Sequence, residues 1–98
     1  MQLTWNEDKN RTLKANAIRG VCFEDIAAAV ADGRLLDDIE HPNQNRYPGQ
    51  RMLIVLIERY VYAAPYVKAD DVLFLKTAFP SRDLKKIYLP GESNDQRA

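Results

Sequence analysis

RMLIVLIERYVYAAPYVKADDVLFLKTAF, residues 51–79, decides the fold. It predicts three consecutive strands, at 51–59, 60–68 and 72–79. The first is apolar from Met52 to Ile57, the signature of a strand covered on both faces in the middle of a sheet. The second alternates Tyr60, Tyr62 and Tyr66 with small or branched residues. Pro65 has no N–H to give to a ladder, so the strand is bulged or at an edge there. Ala69-Asp70-Asp71 is the turn. The third strand places Val72, Phe74 and Lys76 on one face by its period of two.

The flanking sequence adds helices and a loop. Leu3-Thr4-Trp5 is a short opening strand. Asn6 is a good N-cap, with Glu7 and Asp8 complementing the positive end of a helix that runs to about Ala17. Its apolar stripe is thin: Leu13, Ala17 and Ile18. Gly20 suits a left-handed C-terminal cap. Phe23, Ile26, Ala27 and Val30 follow the i, i+3, i+4, i+7 spacing of a helix that packs on a sheet. Cys22 stands at its cap position and reads as a structural thiol. Asp32-Gly33 stops the helix, and 35–39 reads as a strand.

Residues 41–49, HPNQNRYPG, hold two prolines, two asparagines and a glycine, and so form a loop. That loop carries the only histidine. Ser81 N-caps a last helix over 81–88, with Leu84 and Tyr88 facing inward and Lys85 and Lys86 outward. The expected order is β-α-α-β-β-β-β-α, an α+β fold in one domain over 1–90, with a polar, disordered tail at 91–98. Its expected core is Phe23, Ile26, Val30, Leu53, Val55, Ile57, Leu73 and Leu75.

Ninety-eight residues support one modest core. One cysteine excludes an intrachain disulfide, and one cysteine with one histidine argues against the usual zinc sites. No cofactor is implied. No run is long enough to span a bilayer and no signal pattern opens the chain, so a cytoplasmic location is expected. The formal net charge is zero. Basic residues gather at 9–19 and 82–86 and acidic ones at 24–40, which can fold into surfaces of opposite sign.

The ordered strings Leu3-Thr4-Trp5-Asn6-Glu7-Asp8-Lys9-Asn10 and Arg19-Gly20-Val21-Cys22-Phe23-Glu24-Asp25-Ile26 resemble the opening of BrnT-family toxins of bacterial type II toxin–antitoxin systems. The 38–41 segment, Gly49-Gln50-Arg51 and the closing strand and helix ending at Tyr88 fit the same plan, so the resemblance covers about 3–88. Arg19, Cys22, Gln50 and Lys76-Thr77 depart from it. The resemblance implies a RelE-like fold, with helices on one face of an antiparallel sheet and RNA cleaved on the other. It also implies a metal-independent ribonuclease, silenced by a small antitoxin of ribbon-helix-helix type encoded next to it.

Such chemistry uses the RNA 2′-OH as nucleophile. It needs a base, cations on the phosphate and an acid for the leaving oxygen. Arg51 and Arg82 are the candidate phosphate clamps, because a guanidinium bonds two oxygens at once. Lys9 adds charge. His41 is the candidate acid or base, with Glu58 the alternative base. Tyr47, Tyr60 and Tyr62 are candidate stacking surfaces for unpaired bases, and Lys76 and Lys85 further RNA contacts. The meander is expected to bring Arg51 to the same end of the sheet as 79–82, with Lys9 bordering that edge.

Each residue also has a structural reading: Arg51 paired with Glu58 or Asp38, Arg82 as an exposed residue of the last helix, Lys9 paired across the first helix, His41 exposed and idle, the tyrosines as rim packing. A toxin-like module that binds RNA, ribosome or a protein without cutting is the competing function. A DNA-binding regulator is weaker, because the second helix is acidic.

Overall fold

The computed structural model describes residues 2–16 and 20–90. Ala17 and Ile18 of the expected first-helix stripe, Arg19, and the tail at 91–98 lie outside the described residues. The elements are β1 (Gln2–Trp5), α1 (Glu7–Ala15), α2 (Phe23–Ala31), β2 (Leu35–Glu40), β3 (Arg51–Ile57), β4 (Tyr60–Ala69), β5 (Val72–Leu75), β6 (Phe79–Pro80) and α3 (Arg82–Tyr88). They form an α+β fold on a sheet ordered β1-β5-β4-β3-β2, with β6 also pairing β4.

The sheet is mixed, which corrects the antiparallel expectation: β1 runs parallel to β5. The helices also occupy both faces rather than one. Alternate β3 residues explain why. Leu53 and Val55 join Phe23, Ile26, Leu13, Ala64 and Leu75 under α1 and α2, whereas Met52 and Ile54 join Val61 and Ala63 under Leu84, Tyr88 and Leu89 of α3 and its end. A strand apolar at every position needs a cover on each side, and α3 supplies the second one. Of the expected core, Phe23, Ile26, Leu53, Val55, Leu73 and Leu75 are buried. Val30 and Ile57 are half-buried against them.

Pro65 sets the length of β5. Leu75 pairs Tyr66 and Phe79 pairs Ala63, so three residues, 76–78, face only Ala64 and Pro65. This is a bulge of one residue, placed where β4 has no N–H to offer. The Lys76 N–H still bonds the Pro65 carbonyl at 2.7 Å. The expected strand over 72–79 is thus two strands. The second leads into α3, pinned by the Ser81 N–H on the Val61 carbonyl at 3.0 Å. This pin turns positions 84, 85 and 88 toward the sheet. Lys85 is therefore buried, only 5% exposed, with Nζ 5.2 Å from the Tyr60 ring centroid. Its expected outward position is corrected.

Two local features carry predictions. Cys22 is a weak cap, and α1 makes up for it: buried Asn10 accepts the Phe23 N–H at 2.9 Å and donates to Glu24 at 2.8 Å. That bond from Asn10, then those from Cys22 and Lys14, hold the Glu24 carboxyl down at about 2 from 4.5. A carboxyl lowered in the folded state adds stability that is complete above its unfolded value and is lost as pH falls through the folded one. Stability is expected to fall as pH drops from about 4.5 toward 2, and Glu24→Gln to flatten that part of a urea-midpoint-against-pH curve. An unchanged slope would refute the linkage.

The β3–β4 hairpin has a two-residue turn, Glu58-Arg59, framed by the Ile57–Tyr60 pair, with φ 50° and 71°. Left-handed geometry at both positions is what a type I′ turn demands, and Asn-Gly is its preferred sequence. A glutamate in this region costs about 1–2 kcal/mol. Glu58→Asn is expected to raise stability by about 0.5–1 kcal/mol, read from the equilibrium urea midpoint; a lowered midpoint would contradict it.

Candidate functional site: a cavity at the 41–50 loop

The segment joining β2 to β3 is cross-linked by its own polar groups. The His41 N–H bonds the Gln50 carbonyl at 3.0 Å, and the Tyr47 N–H bonds the Asn43 carbonyl at 2.9 Å. Gln44 lies at the centre. Its amide NH2 donates to the carbonyls of His41 (2.8 Å) and Gln50 (3.0 Å), and its Oε1 accepts the Gly49 N–H at 3.0 Å. Gly49, at φ 77°, allows the chain to turn back into β3. Gln44 closes the loop as a backbone segment would, and nothing in the order of residues announces that.

This loop presents two rings. His41 and Tyr47 have centroids 4.5 Å apart, and the Arg46 guanidinium carbon lies 5.6 Å from the Tyr47 centroid. His41 Nδ1 accepts the Asn43 N–H at 3.0 Å. The neutral ring then carries its hydrogen on Nε2. His41, Tyr47 and Gln50 line a cavity of about 270 Å³ with Pro65, Lys76, Thr77 and Phe79. Three candidates from the sequence, His41, Tyr47 and Lys76, thus meet in one place. The bulge opposite Pro65 sets Lys76 there, on the face it shares with Phe74.

Arg51 opens β3 on the other face and is not in this cavity. Its Nε donates to Asp38 Oδ1 at 3.2 Å and its Nη2 to the Asp38 carbonyl at 2.9 Å. The Tyr66 hydroxyl donates to the same carboxylate, at 2.7 and 2.9 Å from its two oxygens. Tyr66 and then Asp38 push the Arg51 pKa up, while burial and then Asp38 push the Tyr66 phenol up. Of the structural alternatives, Asp38 is the partner of Arg51. A second cavity, of about 400 Å³, lies here between Asp38, Tyr66, Lys68, Asp71 and Leu73.

The remaining candidates are elsewhere. The first and third strands of an antiparallel meander run in the same direction, so the end of the third lies beside the end of the first, not its start. Pro80 accordingly pairs Tyr62, and Arg82 begins α3 near the Glu58-Arg59 turn. Arg51 is at the other end of the seven-residue β3, about 20 Å away along the strand. This corrects the expected juxtaposition of Arg51 with Arg82. Glu58 is exposed at the hairpin tip, and Lys9 is exposed on the first turn of α1, which follows edge strand β1. Tyr60 and Tyr62 contact each other edge-on, with centroids 5.9 Å apart. Burial, ahead of the Glu58 charge, raises the Tyr62 pKa.

No protein-family model, curated protein or solved structure matches this chain. Among the described residues no helix is long and apolar enough to cross a membrane.

Proposed function

We propose that this chain is the toxin of a type II toxin–antitoxin pair, acting on RNA in the cytoplasm at the His41 cavity and silenced by a small antitoxin encoded beside it. The convergence of His41, Tyr47 and Lys76 on one cavity supports this reading. The resemblance of the opening strings to BrnT-family toxins supplies the biological setting. In this reading Lys76 meets the phosphate, Tyr47 stacks on an unpaired base, and His41 exchanges the proton of a metal-independent transesterification. Arg51 orders Asp38 and Tyr66 and does not clamp phosphate.

One observation favours the second mode of action, binding without cutting. A base must offer a lone pair, but His41 Nδ1 already accepts the Asn43 N–H, and no Asp or Glu is among the described residues lining the cavity. Cleavage requires the Asn43 bond to open; binding uses the Nε2 hydrogen as it stands. The experiment is expression of the chain alone in a bacterial host, following growth and RNA integrity, with end analysis of RNA treated with the purified protein. Fragments ending in 2′,3′-cyclic phosphate establish the nuclease. Growth arrest with intact RNA and a retained RNA complex establishes the binding mode. Normal growth with no RNA bound would refute both.

A further inference from the structure

We infer that the half of the sheet face beside the His41 cavity is a track for unpaired polynucleotide, with Tyr47 and Phe74 as stacking platforms on either side of Lys76. This deepens the RNA reading above and rests on it. Phe74 is the unexpected residue. It is half-buried and belongs to neither core cluster. Its face of the sheet is shared with α3, but Leu84, Tyr88 and Leu89 cover Met52, Ile54, Val61 and Ala63 on the β3–β4 side. Among the described residues, no helix covers this face over β5. Phe74 is flanked there by its register partners Val67 and Thr4.

Lys76 joins this strip to the cavity. Its Nζ lies 5.3 Å from the Phe74 centroid, and Lys76 also lines the cavity with His41 and Tyr47. An ammonium against one aromatic ring, with a second ring lining the adjoining cavity, is an arrangement for single strands. Every base has a π-face to lay on a ring, whatever its sequence, and the cation meets the phosphate between them. A duplex keeps its base faces stacked inside and offers the track phosphates alone. The ligand class is therefore single-stranded RNA, taken with little sequence preference. The alternative is that the Lys76 stem merely shields Phe74 from water. That role predicts no effect of Phe74 on nucleic-acid affinity.

The test is fluorescence anisotropy with a labelled 2′-O-methyl oligouridylate, which resists transesterification, and a labelled blunt RNA duplex. The wild type is expected to bind the single strand more tightly than the duplex. Phe74→Leu is expected to weaken single-strand binding about fivefold or more, with Phe74→Trp restoring it. Lys76→Gln, which leaves the ring in place, is expected to reduce the salt dependence of binding. Equal affinity for strand and duplex overturns the track. So does wild-type affinity in a folded Phe74→Leu, or an unfolded Phe74→Leu combined with an unaltered salt slope in Lys76→Gln. In those cases, loss of binding in His41→Ala leaves the cavity reading standing. Failure of the wild type to bind either probe removes the RNA reading itself, and the track with it.

Discussion

Phe23→Ala is expected to lower the unfolding free energy by about 3–5 kcal/mol, a large share of what a domain of this size possesses. Phe23 is fully buried at the start of α2, with its ring 5.6 Å from that of Trp5 and its N–H on Asn10. The ring thus ties β1 and α2 to the sheet, while the backbone N–H of the same residue ties in α1. Truncation leaves a cavity that the surrounding strands cannot close, because β3 and β4 are fixed by pairing from Arg51–Tyr66 to Ile57–Tyr60. Urea unfolding measures the effect. A loss below about 1 kcal/mol would mean that the ring is not part of the central packing.

His41→Ala should have the largest effect on RNA action. If the chain cuts RNA, removing its acid–base group is expected to slow cleavage by about 10²–10⁴-fold. Folding should change little, since the ring contacts Tyr47 and the loop, not the core. Gln44→Ala is expected to act in the same direction but more weakly. It removes three hydrogen bonds that hold the loop, and a misplacement of about 1 Å can cost up to 10²-fold. Arg82→Ala is expected to leave the rate unaltered, because the side chain belongs to the hairpin end of the sheet. Cleavage by purified variants on one RNA decides. Wild-type rates in His41→Ala, or a large loss in Arg82→Ala, would move the chemistry away from the cavity.

The elements with strong periodicity were legible in the sequence. The apolar run of β3, the stripe from Phe23 through Ile26 and the Ser81 cap all follow from residue chemistry over a few positions, whereas the irregularity expected in β4 at Pro65 lies in the strand opposite, at 76–78. The site was legible only in part. His41 and Tyr47 belong to one short loop, and Lys76 lies on the predicted face of β5, so three candidates could be chosen before their meeting point was known. What joins them is long-range. The bulge that positions Lys76 depends on Pro65 in the neighbouring strand, and Gln44 acts through backbone groups that composition does not reveal. Arg51 was the most attractive clamp by type, yet Asp38, thirteen positions away, engages it, and Tyr66 on the next strand holds the same carboxylate. The side of the sheet covered by α3 was equally hidden, because β3 is apolar on both faces and accepts a helix on either.

Asp37 and Asp38 give β2 an unusual hold for a strand at the rim. Neighbours in a strand point to opposite faces. Tyr66 grips Asp38 from the α2 side, and the Tyr88 hydroxyl of α3 donates to Asp37 at 2.7 Å from the other. Peeling this rim strand away means breaking contacts in both layers at once. In hydrogen–deuterium exchange, the β2 amides bonded to β3 should therefore open with the sheet centre, not with the fraying margins. The base of the 41–50 loop would inherit that slow opening, giving the His41 cavity one wall that stays shut on the timescale of ligand exchange.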